Sequence, residues 1–218
     1  MIKNVIFDWS GTLCDDRGAV RIAINAVLRH FGAPEIQGNR FFEEFFLPYT
    51  EFYRKQLGEA CPSVEEIEAK FAELFPHAES QCPPGAIPGA AEFLEHCRQW
   101  GLRLFLLTSV GRFQFDSQAA PAGIDPVAFE GIYAGVRDKT EAMRKLLTDH
   151  GLDPSQTMMV GDMRHDIEAA KASGVYTLAV LTGYEKAHLL SGAEPDALFQ
   201  DLAAASRLFA PVFSNLKR

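Results

Sequence analysis

Carboxylate, hydroxyl and ammonium side chains follow the predicted strands of this 218-residue chain. The residues that could do chemistry together are Asp8, Thr108 with Ser109, Lys139, and Asp162 with Asp166. In open α/β sheets, ligands bind beyond the carboxyl ends of the strands. We therefore expect these side chains to converge on one crevice.

The chemistry of this set suits a phosphoryl group. Asp8 and Asp162 would form an oxygen-rich site for Mg²⁺, which needs only one or two carboxylates and keeps several waters. Asp8 is also a candidate nucleophile, and the Thr108 hydroxyl with neighbouring backbone N–H groups can bind anionic oxygens. Lys139 adds a positive charge that would face both the phosphate and the carboxylates. The set therefore predicts a phosphoryl-transfer site.

The predicted helices and strands that must position these side chains are divided by a hinge rich in proline and glycine at residues 83–89. We expect a core domain of residues 1–13 and 85–218, interrupted by an α-helical cap of residues 14–84. The active crevice is expected between core and cap, with cap closure excluding water and selecting the substrate.

Helical patterns fill the insert, and the remainder alternates between helix and strand. Within the insert, apolar spacing, aromatic residues and a Ser63–Glu66 capping box predict helices over 19–31, over 40–57 and from 63 to 75. In the core, strands are predicted at 3–7, 102–107, 131–136, 157–160, 175–181 and 196–199. Helices are predicted there at 90–100, 140–150 and 166–173, and after the last strand. This alternation predicts an α/β fold with a doubly wound, mainly parallel, Rossmann-like sheet.

Composition narrows the function classes. A net charge of −8 and a pI near 5.3 argue against nucleic acid or an anionic membrane as the main partner. No apolar run approaches the roughly 20 residues that span a bilayer, and no signal peptide is evident. The four cysteines are scattered without a CxxC pair, which favours free thiols in a reducing cytoplasm. Whether the chain is a monomer or a homodimer stays open.

The order and spacing of the candidate residues resemble the haloacid dehalogenase-like (HAD) superfamily. The resemblance is carried by four motifs: DWSGT at 8–12, LLTS at 106–109, the lysine of RDKTEA, and GDMRHD at 161–166. Phosphoglycolate phosphatase-like members usually place proline after that lysine, where this chain has Thr140. The helical insert between the first two motifs is similar to the cap of phosphoglycolate phosphatases, haloacid dehalogenases and phosphonoacetaldehyde hydrolases.

The resemblance implies a Mg²⁺-dependent hydrolase, a phosphatase that acts on a small phosphorylated metabolite. It makes Asp8 the catalytic nucleophile, which would form an aspartyl-phosphate. The metal ligands that it implies are Asp8, the backbone carbonyl of Ser10, Asp162 and, in or near that shell, Asp166. The ligands of the transferring phosphoryl group would be Thr108, Ser109 and Lys139.

Ser10 departs from the family pattern. Phosphatases of the superfamily carry Asp at this position, as the acid that protonates the leaving oxygen and the base that activates water. A serine hydroxyl alone is a poor acid, and losing general acid–base help typically costs about 10² to 10⁴ in rate. We therefore expect weak activity on simple phosphate esters. Haloacid dehalogenases usually carry Tyr there, so Ser10 argues against dehalogenation as well.

Two alternatives stay open. Phosphonoacetaldehyde hydrolases have a small residue at the position of Ser10 and use a cap lysine for carbon–phosphorus cleavage of a phosphonate substrate. Lys55 and Lys70 are the cap lysines available for that role. The other alternative is a catalytically impaired protein that binds a phosphorylated metabolite.

Overall fold

The computed structural model describes residues 1–214, which form two compact units. One unit contains Met1–Asp15 and the chain from Gly85 onward, and the other contains Asp16–Pro84. No helix among the described residues is both long and apolar enough to cross a membrane.

Six parallel strands form the main sheet of the first unit. In chain order the strands are β1 (Asn4–Phe7), β2 (Cys14–Asp15), β3 (Gly85–Ala86), β4 (Arg103–Leu107), β5 (Gly131–Tyr133), β6 (Thr157–Gly161), β7 (Tyr176–Val180) and β8 (Ala197–Phe199). The sheet order is β5-β4-β1-β6-β7-β8, and β2 pairs with β3 in a separate antiparallel ribbon. The predicted α/β fold with a mainly parallel sheet is confirmed.

The helices lie before, between and after these strands. In chain order they are α1 (Arg17–His30), α2 (Arg40–Glu44), α3 (Tyr49–Leu57), α4 (Val64–Gln81), α5 (Ala90–Gln99), α6 (Arg112–Ala119), α7 (Lys139–Asp149), α8 (Arg164–Lys171), α9 (Ala187–Gly192) and α10 (Leu202–Ser214). The short helices α6 and α9 are not among the sequence predictions.

The alternation of side chains along the strands builds a core on both faces of the sheet. Val5 and Phe7 of β1 belong to the apolar cluster that includes residues of α5, α6 and α10. Ile6, between them, belongs to a second cluster with residues of α7 and α8. Successive side chains of a strand point to opposite faces, so β1 is buried on both sides.

The helical unit differs from prediction in two places. The stretch 40–57 is not one helix, because α2 ends at Glu44 and α3 begins after Pro48. Proline has no N–H to donate and disfavours helix in the preceding residue, which explains the break. The predicted capping box at Ser63 is confirmed, but α4 runs to Gln81, beyond residue 75 and past Pro76.

Asp138 fixes the start of α7, and therefore the position of Lys139. Its backbone is extended, and its side chain accepts hydrogen bonds from the N–H groups of Thr140 and Glu141 at 2.8 and 3.0 Å. These are two of the N–H groups that a helix leaves without an internal partner, so Asp138 is an N-cap.

We expect Asp138→Ala to lower the free energy of unfolding by about 1 kcal/mol, because the two N–H groups lose their acceptor. Asp138→Asn is the matched control, since asparagine caps helices about as well as aspartate. Urea denaturation of both variants measures the difference. An equal loss in the two variants would contradict the capping role.

Candidate active site

Register in the parallel sheet brings two of the candidate carboxylates together. Phe7 pairs with Val160 of β6, so Asp8 stands level with Gly161 and Asp162 lies one residue further. On the other side Phe7 pairs with Leu106 of β4, which places Thr108 at the same height as Asp162. The predicted convergence at the carboxyl edge of the sheet follows from this register.

The turn after β1 is closed by its own backbone. The Trp9 carbonyl accepts hydrogen bonds from the N–H groups of Thr12, Leu13 and Cys14. Gly11 has a φ of 79°, a conformation that favours glycine. A β-carbon on Gly11 would also lie 2.7 Å from Asp162 Oδ2. The glycine of DWSGT therefore allows the turn to approach Asp162.

Lys139 is the cation of the site. Its Nζ donates a 2.8 Å hydrogen bond to Asp8 Oδ1 and a second hydrogen bond to Asp166 Oδ1. All three side chains are buried, so water screens these ion pairs little. The first residue of α7 thus links Asp8 to Asp166 of α8.

Asp162 is held in place by two donors. Thr12 Oγ1 donates to its Oδ1 at 2.9 Å, and the backbone N–H of Tyr184 donates to its Oδ2 at 2.8 Å. Asp166 is fixed in the same way, because its Oδ2 accepts a hydrogen bond from the Met163 N–H at 3.1 Å. Both carboxylates are therefore oriented before any ligand binds.

Asp8, Asp162 and Asp166 form a group that could hold a metal ion. Each is buried, and one oxygen of each lies within 4.8 Å of the others. Carboxylate oxygens are the hard ligands that Mg²⁺ prefers, and a few carboxylates suffice when waters complete the octahedron. The donor set therefore fits Mg²⁺.

Burial and the closeness of these charged groups shift the pKa values of Asp8, Asp162 and Lys139. Burial raises the pKa of Asp8 more than the charge of Lys139 lowers it. Burial, together with the charges of Asp8 and Asp166, raises the pKa of Asp162 well above its usual range. Burial alone would lower the pKa of Lys139, but the two carboxylates beside it outweigh that effect and raise it. Lys139 is therefore an ammonium at neutral pH, and the carboxylates need a further cation to stay ionised together.

The phosphate-binding candidates lie at the adjoining strand end. Thr108 is buried, and its Oγ1 accepts a hydrogen bond from the Val110 N–H at 3.1 Å. The backbone N–H of Thr108 donates to the backbone carbonyl of Tyr133 in β5. The hydroxyl is therefore the group of Thr108 that could contact a ligand. Ser109 is partly exposed at the same loop.

The loop at residues 182–185, which follows β7, is part of the site, although the sequence analysis gave it no role. Thr182 Oγ1 donates to the Gly11 carbonyl at 2.7 Å, and Ser10 Oγ lies 3.2 Å from the phenolic oxygen of Tyr184. Glu185 forms an ion pair with Arg164 at the start of α8. The signal available in the sequence was that Thr182 and Tyr184 come directly after a predicted strand.

His165 is a second residue to which the sequence analysis gave no role. Burial and the nearby charge of Lys139 lower the pKa of this imidazole to about 3, so it is neutral. Among residues 1–214, neither ring nitrogen has a hydrogen-bond partner, and Nε2 lies 3.7 Å from Asp166 Oδ1.

Comparison with known proteins agrees with this geometry. The sequence model of the haloacid dehalogenase-like hydrolases matches residues 5–180. A phosphoglycolate phosphatase from Synechococcus elongatus is 26% identical over 203 residues, covering 91% of this chain and 93% of that protein. The tyrosine-protein kinase PtkA from Mycobacterium tuberculosis is 29% identical over 192 residues, covering 85% of this chain and 64% of that protein.

A solved structure is similar over nearly the whole chain. It is described as a predicted phosphoglycolate phosphatase from Haemophilus somnus 129pt, has a TM-score of 0.78 and 22% identity, and covers 95% of this chain and 97% of its own. This likeness concerns the fold. The family match over residues 5–180 shows that the chain belongs to the haloacid dehalogenase-like hydrolases, and together with the phosphoglycolate phosphatase relatives it supports a hydrolase of the phosphatase type.

Proposed function

We propose that this protein is a Mg²⁺-dependent phosphatase that acts on a small phosphorylated metabolite through an aspartyl-phosphate on Asp8. The observation that carries the proposal is the contact between Lys139 and Asp8 beside the oriented carboxylates of Asp162 and Asp166. A nucleophile, a cation and a metal-binding donor set thus meet at the end of β1.

In the first step, an oxygen of Asp8 attacks phosphorus, and the bond from phosphorus to the leaving oxygen breaks. Lys139 offsets negative charge as it builds on the phosphoryl oxygens, and the Thr108 hydroxyl donates to one of them. In the second step, water attacks the same phosphorus and releases Asp8. Covalent catalysis of this kind replaces one difficult displacement with two easier ones.

Asp8, Asp162 and Asp166 are the side chains that would hold Mg²⁺, with the Ser10 carbonyl as a proposed fourth ligand. Bound Mg²⁺ would supply positive charge that stabilises the transferring phosphoryl group. Thr12 and the Tyr184 N–H keep the Asp162 carboxylate oriented, and Lys139 keeps Asp166 in place. These contacts are the supporting shell on which ligand geometry depends.

Phosphoglycolate is the first substrate to test, because relatives that align over most of this chain are phosphoglycolate phosphatases. We also propose that the helical unit Asp16–Pro84 is the cap that selects the substrate. Ser10 in place of the family's acid should make alkyl phosphate esters slow substrates.

Carbon–phosphorus cleavage gains no support from the cap lysines. A Schiff-base lysine is activated by desolvation or by a neighbouring cation. Lys55 is exposed and lies over the Phe46 ring, with Nζ 5.6 Å from the centroid. Lys70 forms an ion pair with Glu73 one turn along α4. Lys55 faces water and Lys70 is paired with a carboxylate, so neither arrangement matches the surroundings of an activated amine.

Asp8→Asn should lower the rate of para-nitrophenyl phosphate hydrolysis by more than about 10³-fold, because an amide cannot accept the phosphoryl group. Asp149→Asn is the control, since that carboxylate lies at the far end of α7 in an exposed ion pair with Lys145. Initial rates in Mg²⁺ buffer measure both. Activity of Asp8→Asn within a few-fold of the unmodified protein would refute the proposed nucleophile.

Mg²⁺ should raise the melting temperature by several degrees, because a ligand at about 100 times its Kd adds about 2.7 kcal/mol to the stability of the folded state. Asp162→Asn should abolish most of this shift, and Asp149→Asn should keep it. Differential scanning calorimetry with and without Mg²⁺ tests this without an activity assay. A full shift in Asp162→Asn would place the metal elsewhere.

Ser10→Asp should raise kcat/KM on alkyl phosphates up to about 10²-fold, because it introduces a carboxylic acid that can protonate the leaving oxygen. Ser10→Asn is the matched control, with nearly the same size and no acidic proton. A panel of phosphate esters that includes phosphoglycolate measures both variants. Equal effects of the two substitutions would mean that the acid at this position is not what limits the rate.

A further inference from the structure

We propose that Tyr184 supplies, through Ser10, the proton that the leaving oxygen needs. This inference rests on the proposed function of Asp8 and deepens it, because it names what stands in for the missing acid.

The phenol of Tyr184 lies where that acid would be needed. Its oxygen is 3.2 Å from Ser10 Oγ, within hydrogen-bond distance, and Ser10 is two residues from the nucleophile. Tyr184 is only 7% exposed. A buried phenol normally bonds to a polar partner, and this one reaches Ser10, which stands where phosphatases of the superfamily carry their acid.

The backbone holds Tyr184 in this position. The backbone N–H of Tyr184 donates to Asp162 Oδ2, and Thr182, two residues earlier, donates to the Gly11 carbonyl. Gly183 lets the loop pass close to the metal-binding group, because a β-carbon there would lie 1.7 Å from Asp162 Oδ2. Two hydrogen bonds therefore anchor the loop at 182–185. Thr182 binds the turn after β1, and the backbone of Tyr184 binds Asp162.

A pair of hydroxyl groups can pass a proton where a single serine cannot release one. In the structure the Ser10 hydroxyl donates to the Tyr184 oxygen. Each hydroxyl can rotate to donate one hydrogen bond and accept another, so Ser10 can instead accept from Tyr184 while it donates to a leaving oxygen. A phenol is a stronger acid than an aliphatic alcohol, so the Tyr184 hydroxyl is a better source of the proton than the Ser10 hydroxyl alone.

The proton balance closes over the two steps. As the bond between Asp8 and phosphorus forms and the ester bond breaks, Ser10 gives its proton to the leaving oxygen and takes one from Tyr184. Tyr184 is left as a phenolate. When water attacks phosphorus and the bond to Asp8 breaks, one water proton returns through Ser10 to Tyr184. The phenolate formed in the first step is thus the base of the second.

His165 is a poorer candidate for this role. Its ring lies next to Asp166, on the side of the site where Lys139 binds. The contact to Ser10 comes from Tyr184.

The test compares Tyr184→Phe on two kinds of ester. Alkyl phosphates release an alkoxide that needs a proton, whereas para-nitrophenyl phosphate releases a stable phenolate that does not. We expect kcat/KM to fall at least about 10-fold on alkyl phosphates, because general acid catalysis is typically larger than that, and to change less than about twofold on the nitrophenyl ester. Tyr176→Phe, an exposed tyrosine on β7, is the matched control and should change neither.

Equal losses on both esters would overturn the proposal, because they would mean that Tyr184 only supports the structure. No loss on alkyl phosphates would overturn it too. So would an unmodified protein that hydrolyses the nitrophenyl ester but no alkyl phosphate.

A second comparison tests the route through Ser10. In a Ser10→Asp background, Tyr184→Phe should no longer slow alkyl phosphate hydrolysis, because the new carboxyl supplies the proton. The same loss in both backgrounds would exclude the relay. Failure of the underlying function is distinguished by Asp8→Asn: if that variant still hydrolyses the nitrophenyl ester, the nucleophile itself is wrongly assigned.

Discussion

One buried ammonium faces three buried carboxylates at the carboxyl edge of the sheet, and the rest of the site depends on this imbalance. Lys139 contacts Asp8 and Asp166, while Asp162 is satisfied by Thr12 and by the Tyr184 N–H. Ionised carboxylates at this depth lack water and repel one another, which is why the pKa values of Asp8 and Asp162 are raised. A bound divalent cation would offset that penalty, so the same crowding that raises these pKa values supports the proposal that the site holds Mg²⁺.

The sheet and its flanking helices hold the charged side chains of this cluster in place from several directions. β1 has hydrogen-bonded neighbours on both sides and apolar clusters on both faces, so Asp8 has little freedom to move away from Asp162. α7 and α8 pack in one of these clusters and bring Lys139 and Asp166 to the same edge. Rigid placement matters because a charge-stabilising group acts only when it already points to where charge develops.

Much of this was predictable from the sequence, and the exceptions share a cause. Asp8, Thr108 and Asp162 follow strands whose apolar runs are clear, and parallel register then brings them together. The sequence predicted one helix over 40–57, but the helix is interrupted before Tyr49. In this stretch the spacing of the aromatic residues favours a helix, whereas Pro48 disfavours one, and the pattern alone does not show which effect is stronger. The hydrogen bond between Ser10 and Tyr184 joins residues 174 positions apart, and no local pattern encodes which loop side chain reaches that turn. The surroundings of His165 likewise arise from the tertiary structure, which brings its ring beside Asp166.

The exchange of a carboxylic acid for two hydroxyl groups has an electrostatic consequence for the whole cluster. An aspartate at the position of Ser10 would add a fourth carboxylate close to Asp8, and its proton affinity would be set by that crowding. Before the reaction begins, the hydroxyl groups of Ser10 and Tyr184 are neutral and add no charge to the cluster, so Lys139 and a bound cation would have less repulsion to offset. The same neutrality limits the driving force for proton transfer, since a phenol matches neutral pH less well than a tuned carboxyl does. The pair therefore lowers the electrostatic repulsion in the site but hydrolyses esters with poor leaving groups more slowly. The hydrolysis rate should depend on the leaving group more steeply than that of relatives with an acid at this position.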